Sequence, residues 1–359
     1  MAQDVAVVAG ASGVVGSRLS QALVASGKFR VLGCARRLPA TDNRIAGVDY
    51  ATLDLSNPDQ CRQFASQASG VTHLFYTARA QFVTGQDEST DINTAMFRNL
   101  LDAVEAASPA LRHVHMVHGT KYYGSTDGPF PTPAKEDEPR HARQNFYYAQ
   151  EDIVMARTAR QWSWSASRPH CICDSSLATP RSLPLLIATY AAICRHLGEP
   201  LSFPGTPGNY HSVYECTDAS LLARAIVWMA TEPRCADQAF NVTNGDFFRW
   251  ENFWPVFARH FGLAPGPIRT ISMTDEMPAR APVWRDIVAK NGLVDTPYES
   301  MALWRYGDFI FGPEWDKMSS TTKLRRFGFH EVADSLQMFL GFFDDFRRRG
   351  VIPAPRIME

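Results

Sequence analysis

The sequence predicts an α/β protein with a Rossmann-type, doubly wound parallel sheet and a mainly helical C-terminal portion. Three observations predict this class. A short apolar run enters a glycine-rich turn at residues 10–16. Apolar runs then alternate with amphipathic segments up to residue 118, as in a parallel sheet with crossover helices. The last third of the chain is rich in aromatic residues, most of which we expect in the core.

The first strand and the turn after it give the strongest local signal. Residues 5–9 are uninterruptedly apolar, as in a strand buried on both faces, and residues 17–25 have helical spacing. A glycine-rich turn that opens a helix directs backbone N–H groups and the helix dipole towards an anion. We therefore expect a dinucleotide here, with an ordinary glycine turn as the alternative. The expected contacts are Gly10, Ser12, Gly13, Val14, Val15 and Gly16.

The end of the second strand, at residues 30–35, predicts the type of cofactor. An NAD site carries an acid about 20 residues past the glycines, where it binds the ribose 2′-hydroxyl. This chain has Arg36 and Arg37 there, which suit a 2′-phosphate and so predict NADPH. An exposed arginine pair without a ligand is the alternative. Asp54 and Leu55, after a third strand, are expected beside the adenine ring.

The later elements continue the alternation. The predicted strands cover 50–53, 71–77, 111–117, 162–168 and 239–243, and the predicted helices cover 94–107, 145–161, 183–197, 218–230 and 250–261. Residues 126–143, rich in proline and charge, indicate a surface loop. We expect an NADP-binding core at 1–170 with a returning strand near 238–243. The substrate-binding portion is expected at 171–237 and 244–359.

Composition excludes several partners. A net charge of −1 gives no electrostatic reason to expect nucleic acid or an anionic membrane. The longest apolar stretch, 183–194, is too short to span a bilayer, and no signal peptide is evident. Seven cysteines without CxxC spacing suit reduced thiols and a cytoplasmic protein. The oligomeric state stays open, with a homodimer as one option.

No metal site is expected. His113 and His115 share a strand face, and Cys171 and Cys173 are two residues apart. Neither pair has further ligands at a spacing that would complete a site.

The catalytic residues follow an unusual pattern. Reductases of this architecture commonly use a tyrosine with a lysine four residues later, which lowers the pKa of the tyrosine. Tyr147 and Tyr148 are followed at that distance by Glu151 and Asp152, and a carboxylate cannot do the work of the lysine. Lys121, in the loop that leaves the fifth strand, is the expected replacement.

Segments along nearly the whole chain carry a family resemblance. They are residues 10–16, 35–37, 71–76, 96–99, 119–121, 145–148, 190–194, 240–242, 244–246 and Trp304. In these segments the chain resembles the progesterone 5β-reductase/iridoid synthase family, an atypical branch of the extended short-chain dehydrogenases/reductases. The displaced lysine and the double tyrosine are the most specific features.

The resemblance implies roles for individual residues. By the pattern of the family, Tyr148 is catalytic, Lys121 is its partner, and both touch the cofactor. Tyr147 is then expected to serve in packing or in the pocket wall. Among the aromatic residues of the C-terminal third, Phe342 or Phe343 is expected to line the pocket. Further cofactor contacts are expected from Ala78, Arg79, Val117 and Ile172.

The implied activity is NADPH-dependent 1,4-reduction of a small α,β-unsaturated carbonyl compound, an enone or enal. Arg79 stands where the family usually has tryptophan, and segment 170–176 also differs, which leaves the substrate open. A carbonyl (1,2-) reductase or a sugar-nucleotide epimerase on the same fold is the first alternative. A non-catalytic NADP-sensing protein is the second.

Overall fold

The computed structural model describes residues 3–80, 88–177, 179 and 181–354. The strands are β1 (Asp4–Ala9), β2 (Phe29–Ala35), β3 (Val48–Thr52), β4 (Val71–Tyr76), β5 (His113–Val117), β6 (Ser163–Pro169), β7 (Ile172–Cys173), β8 (Leu201–Phe203), β9 (Val213–Tyr214), β10 (Thr217–Asp218), β11 (Gln238–Val242), β12 (Phe248–Arg249) and β13 (Pro265–Ile268). The helices are α1 (Val14–Ala25), α2 (Pro58–Gln67), α3 (Thr90–Ala107), α4 (Phe146–Met155), α5 (Leu183–Leu197), α6 (Pro207–His211), α7 (Ala219–Thr231), α8 (Trp250–His260), α9 (Met273–Glu276), α10 (Ala281–Asn291), α11 (Tyr298–Met301), α12 (Trp304–Phe311), α13 (Thr322–Phe327) and α14 (Ser335–Arg348). Within these residues, no helix combines the length and apolar character needed to span a bilayer.

Seven parallel strands form the central sheet, in the order β11-β6-β5-β4-β1-β2-β3. Strand order reverses between β1 and β4, where the chain first runs outward to β3 and then returns to the other side of β1. Ligands of such sheets bind outside the carboxyl ends of the strands at this reversal. The predicted Rossmann-type α/β class is confirmed.

The described residues form two compact units. The sheet unit comprises residues 1–170, 219–242 and 320–331, and the helical unit comprises 171–218, 243–319 and 332–359. The first break between the units falls after residue 170, and residues 219–237 and 320–331 belong to the sheet unit. For residues 219–237 the packing of α7 on α1 and on strands β5 and β6 accounts for this.

The core of the sheet unit is aliphatic. Residues 6–9 of β1 are fully buried, as the uninterrupted apolar run predicts. Leu74, Phe97, Leu100 and Val114 from β4, α3 and β5 are also completely buried and belong to one core with β1. Helical spacing of the apolar residues in α3 thus turns one face of that helix onto the sheet.

The core of the helical unit contains many aromatic side chains, and one of them is a residue that we expected in the pocket. Phe343 of α14 is fully buried, with ring centroids 5.2 Å from Phe257 and 4.9 Å from Phe261. Phe343 is therefore a core residue and not the expected pocket residue. Phe342, its neighbour, is half-buried and packs against the same core. Most of the aromatic residues in this part of the sequence serve this packing.

Segment 126–143 is more than the surface loop that its composition indicates. Ala134 is fully buried, and its carbonyl oxygen accepts a hydrogen bond from the Asn241 side chain at 3.0 Å. The Glu136 carboxylate accepts the backbone N–H of Asn241 at 2.8 Å. The segment therefore covers the edge strand β11, which otherwise exposes unpaired backbone groups.

Helix α4 also ends at Met155, six residues before the predicted end at 161.

Candidate active site

The glycine-rich turn has the geometry expected of an anion site. Gly10 has a φ of 83°, and a Cβ there would lie 2.9 Å from the backbone of Ala78. A Cβ on Gly16 would lie 2.2 Å from the carbonyl oxygen of Gly10. Glycine is therefore required at both positions for strand, turn and helix to pack this closely. The N–H groups of Gly10 and Ala11 donate to the carbonyl oxygen of Cys34 and fix the turn on β2.

The N-terminus of α1 is open to a ligand. Gly13 is the N-cap residue, and no side chain in the described part of the chain caps the helix. The first turn holds no acidic residue, and Gly13 itself is exposed. The unpaired N–H groups of the first turn and the helix dipole can therefore bind a phosphate group. Ser12, Val14 and Val15 are half-buried around this point.

Arg36 and Arg37 lie directly after β2, and both are exposed. Neither forms a hydrogen bond or ion pair with another described residue. Asp54 is engaged elsewhere, because its carboxylate accepts the hydroxyl of Ser56 at 2.7 Å. Hydrogen bonds from Ser56 lower the pKa of Asp54, with a smaller contribution from Arg36. The arginines thus remain available to a ligand, and Leu55 beside Asp54 is buried.

A charged cluster follows strands β4 and β5. Glu88 forms ion pairs with Arg79 and with Lys121, whose Nζ lies 2.8 Å from the carboxylate. Arg79 and Lys121 also lie over the ring of Phe146, at 5.6 and 5.7 Å from its centroid. Burial would raise the pKa of Glu88, but Arg79 and Lys121 outweigh it, and the pKa is lowered. Sequence reasoning missed Glu88, because a lone acid next to a helix start carries no signal of its own.

Tyr147 lies at the carboxyl ends of β5 and β6. A Cβ on Gly119 would lie 3.3 Å from the Tyr147 hydroxyl oxygen and 3.4 Å from the carbonyl oxygen of Pro169. The ring of Tyr147 stacks on His118 with centroids 4.9 Å apart. Its backbone N–H donates to Asn145, the N-cap of α4, at 3.0 Å. The hydroxyl therefore stands at the ligand-binding edge of the sheet, and a side chain at Gly119 would crowd it.

Tyr148 points to a different set of partners. Its hydroxyl donates to the carbonyl oxygen of Tyr122 at 2.5 Å and accepts the backbone N–H of His141 at 2.8 Å. The Arg140 guanidinium lies over its ring at 5.1 Å. Burial raises the pKa of Tyr148. The expected pair of Tyr148 with Lys121 is not formed in this structure, because Tyr148 ties segment 126–143 to the turn after β5.

The carboxylates four residues after the two tyrosines have a structural role. Glu151 accepts hydrogen bonds from Arg168 at 3.4 Å, from Arg140 at 2.7 Å and from the Tyr122 hydroxyl at 3.0 Å. Arg168 is 2% exposed, and its guanidinium lies 3.4 Å above the ring of Tyr122. A charge buried so deeply needs an opposite charge nearby. An acid at position 151 therefore stabilises Arg168, and a lysine in its place would leave two buried cations together.

Both ring nitrogens of each strand histidine lie within hydrogen-bond distance of serine hydroxyl groups. His113 has its two ring nitrogens 2.9 and 2.8 Å from the hydroxyls of Ser163 and Ser165. His115 has its ring nitrogens 2.7 and 3.1 Å from Ser165 and Ser167. Burial lowers the pKa of His113 to about 3 and that of His115 well below its usual value. These neutral histidines connect β5 to β6 on one face of the sheet.

The remaining expected cofactor residues lie at strand ends. Ala78 follows β4 and meets the turn at Gly10, while Val117 ends β5. Ile172, in β7 of the helical unit, pairs with Thr217. A pair that sequence reasoning missed is Thr120 and His170, with the hydroxyl 2.6 Å from Nδ1 of the ring.

Comparison with known proteins decides the family. The model of the PRISE-like Rossmann-fold domain family matches residues 44–353. This chain belongs to that family. A relative in Nepeta racemosa, named (S)-8-oxocitronellyl enol synthase, is 34% identical over 98% of this chain and 92% of its own length. The 3-oxo-Delta(4,5)-steroid 5-beta-reductase of Arabidopsis thaliana is 33% identical over 98% of this chain and 94% of its own length.

Solved structures share the architecture of this PRISE-family chain. A putative epimerase from Burkholderia cenocepacia has a TM-score of 0.67 at 18% identity and covers 97% of this chain and 99% of its own. The UDP-glucose 4-epimerase of Thermus thermophilus, solved with NAD, has a TM-score of 0.65 at 17% identity, covering 96% and 99%. At these identities the likeness shows the fold.

Proposed function

We propose that this chain is an NADPH-dependent reductase that carries out 1,4-reduction of α,β-unsaturated carbonyl compounds. The observations that carry the proposal are that the Tyr147 hydroxyl lies next to Gly119, after the carboxyl end of β5, and that Lys121 follows Gly119 by two residues. Support comes from two curated relatives whose names describe an 8-oxocitronellyl enol synthase and a steroid 5-beta-reductase. Both relatives match over nearly the whole chain.

The assignment of NADPH as cofactor rests on the positive charge after β2 and on the space at the glycine-rich turn. Gly10 and Gly16 leave room for a pyrophosphate at the uncapped N-terminus of α1. Arg36 and Arg37 can bind a 2′-phosphate, and no acid stands there to bind a ribose hydroxyl. When bound, NADPH supplies the hydride that the reaction consumes. The residues present therefore suit NADPH better than NADH.

Tyr147 is the better choice for the catalytic hydroxyl. As hydride adds to the β-carbon of an enone, negative charge develops on the carbonyl oxygen. A hydroxyl at the ligand-binding edge of the sheet can donate a hydrogen bond to that oxygen. Tyr147 lies at this edge, whereas the Tyr148 hydroxyl donates to the carbonyl oxygen of Tyr122. We therefore transfer the catalytic role from Tyr148 to Tyr147, and Tyr148 becomes a positioning residue.

An ion pair with Glu88 keeps the ammonium group of Lys121 in position. The ion pair at 2.8 Å and the ring of Phe146 fix the ammonium group after β5. From there its positive charge can favour an anionic oxygen beside Tyr147 and donate to a ribose hydroxyl. Arg79 pairs with the same carboxylate, so Arg79, Lys121 and Glu88 together carry a net charge of +1. One positive charge suits the single negative charge that develops on the carbonyl oxygen of a neutral small enone or enal.

Product identification tests the reaction. Purified protein is incubated with NADPH and 2-cyclohexen-1-one, and separately with progesterone, and the products are identified by mass spectrometry and NMR. We expect NADPH consumption and a saturated ketone. An allylic alcohol as the main product would instead establish the carbonyl reductase alternative. NADPH binding without turnover on a broad panel of carbonyl compounds would favour the sensing alternative.

A further inference from the structure

Three cysteines meet in the helical unit. The Sγ atoms of Cys171, Cys173 and Cys216 all lie within 4.8 Å of one another. Cys173 and Cys216 are fully buried, and Cys171 is half-buried. From the sequence, Cys171 and Cys173 offer only two sulfur atoms, too few for a metal. The fold adds the third from a distant part of the chain.

The pairing of two short strands builds this cluster. In β7 and β10, which are parallel, Cys173 stands opposite Asp218. The N–H of Thr217 donates to the carbonyl oxygen of Cys171 at 3.2 Å, and Cys216 precedes it directly. Cys171 has a φ of 37°, a value that side-chain-bearing residues rarely adopt. Backbone hydrogen bonds therefore hold all three thiols in one place without any disulfide.

The spacing suits one metal ion bound by three sulfurs. Three thiolates in a plane around an ion at about 2.3 Å stand about 4 Å from one another. The upper limit of 4.8 Å between the present sulfur atoms is close to that value. Only a small movement of the side chains is needed to close the site. Thiolate sulfur is a soft ligand and selects soft metals such as Cu(I).

Lys317 has a buried ammonium group that interacts electrostatically with Cys171 and can supply charge compensation. Lys317 is 2% exposed, and its Nζ lies over the rings of Tyr214, Phe309 and Trp315, at 5.7, 5.6 and 6.0 Å from their centroids. No carboxylate of the described residues forms an ion pair with it. Burial lowers the pKa of Lys317 to about 8, an effect that Cys171 partly opposes. An ammonium group buried among aromatic rings is costly unless negative charge comes near it.

We propose that Cys171, Cys173 and Cys216 form a binding site for a single Cu(I) ion. On binding, three S–H groups release their protons to solvent and three copper–sulfur bonds form, while copper keeps its oxidation state. The complex carries a net charge of −2, which Lys317 reduces. Structural zinc sites take four protein ligands, and this cluster supplies three within the described residues. The donor set therefore favours Cu(I) over Zn²⁺.

A further contact helps to stabilise the bound form. The hydroxyl of Tyr306 lies 3.7 Å from Sγ of Cys171. A hydroxyl beside a thiolate can donate a hydrogen bond to it and so tune the metal site.

Competition for Cu(I) tests the site. The reduced, metal-free protein is titrated anaerobically with Cu(I) in the presence of bicinchoninate, and the loss of the coloured chelate is measured. We expect one equivalent to bind. Cys171→Ser, Cys173→Ser and Cys216→Ser should each weaken binding at least tenfold. Cys235→Ser, which removes a buried cysteine outside the cluster, should leave binding unchanged.

Two further measurements allow the test to refute the proposal even where a variant does not fold. Because the two buried cysteine variants can fail to fold, Cys171→Ser, at the least buried position, is the deciding variant, with its fold checked by circular dichroism. Lys317→Met should weaken Cu(I) binding about tenfold without changing the stoichiometry. Wild-type protein that takes no Cu(I) from the competitor would overturn the proposal. Equal binding by Cys171→Ser, or tighter binding of Zn²⁺ than of Cu(I) by the wild type, would do so too.

Discussion

Adjacent tyrosines of α4 should respond in opposite ways to loss of their hydroxyl groups. Tyr147→Phe should leave the fold intact and slow the chemical step. Tyr148→Phe should leave the chemical step nearly intact and destabilise the fold. The reason is that the Tyr147 hydroxyl stands at the ends of β5 and β6, while the Tyr148 hydroxyl connects the Tyr122 carbonyl oxygen to the His141 N–H.

The two magnitudes follow from these contacts. Loss of one donor to a developing oxyanion costs about 10²–10³ in kcat, so we expect that loss for Tyr147→Phe. Tyr148→Phe removes two hydrogen bonds to backbone groups at 2.5 and 2.8 Å. At about 1 kcal/mol each, the free energy of unfolding should fall by about 2 kcal/mol. For a chain of this size Tm should then fall by about 3 °C.

Stopped-flow hydride transfer from NADPH to an enone gives the chemical step, and thermal unfolding gives Tm. Tyr298→Phe is a matched control, because the Tyr298 hydroxyl donates to the carbonyl oxygen of Met277 at 2.8 Å within the helical unit. That variant should lose stability but keep its rate. If Tyr147→Phe reduces the enone at the wild-type rate, or Tyr148→Phe loses the rate at unchanged Tm, our assignment of the tyrosines is wrong.

Three further changes probe the cofactor site and the buried acid. Arg36→Ala should weaken NADPH binding at least tenfold and leave NADH binding unchanged, because it removes a charge-assisted hydrogen bond to the 2′-phosphate; equal loss for both cofactors, seen by fluorescence titration, would argue against this contact. Gly16→Ala should destabilise the fold by about 2 kcal/mol or more in urea, since its Cβ would lie 2.2 Å from the carbonyl oxygen of Gly10. Gly341→Ala, where nothing lies within 4 Å, is the control and should not destabilise. Burial raises the pKa of Glu215 from 4.5 to about 7. The contribution of Glu215 to stability should therefore fall by about 3 kcal/mol as pH rises from 4.5 to 7, and urea unfolding at several pH values should show that Glu215→Gln removes this contribution.

The sequence predicts the sheet well because its signals are local. Residues 5–9, 30–35 and 71–77 each form the expected strand to within about two residues at either end, since period and composition are read over a few neighbours. Helix α5 has the bounds that its apolar spacing predicts. Helix α4 is shorter than predicted, because its helical pattern continues past Met155 although the chain turns there.

The candidate site is less predictable because it depends on distant partners. Only the orphaned tyrosine pattern indicates that Lys121 is a functional lysine, and nothing in the sequence indicates its partner Glu88. Glu151 stands where that pattern requires a lysine, and its role as the partner of the buried Arg168 cannot be seen in the sequence. Phe343 had the aromatic character of a pocket residue and lies in a core. In each case, residues far apart in the chain set the environment of the side chain.

By itself, the sequence determined the Rossmann-type class, the glycine turn between β1 and α1, and the position of the arginine pair after β2. These features depend on side chains and backbone conformations within a few residues, and short-range sterics fix them. Only the tertiary structure decided which tyrosine faces the ligand-binding edge of the sheet. It also decided that Glu151 of α4 pairs with the buried Arg168, and that Cys216 lies beside Cys171 and Cys173. Neighbouring tyrosines on one helix point about 100° apart. Their roles therefore depend on what the fold packs against each face.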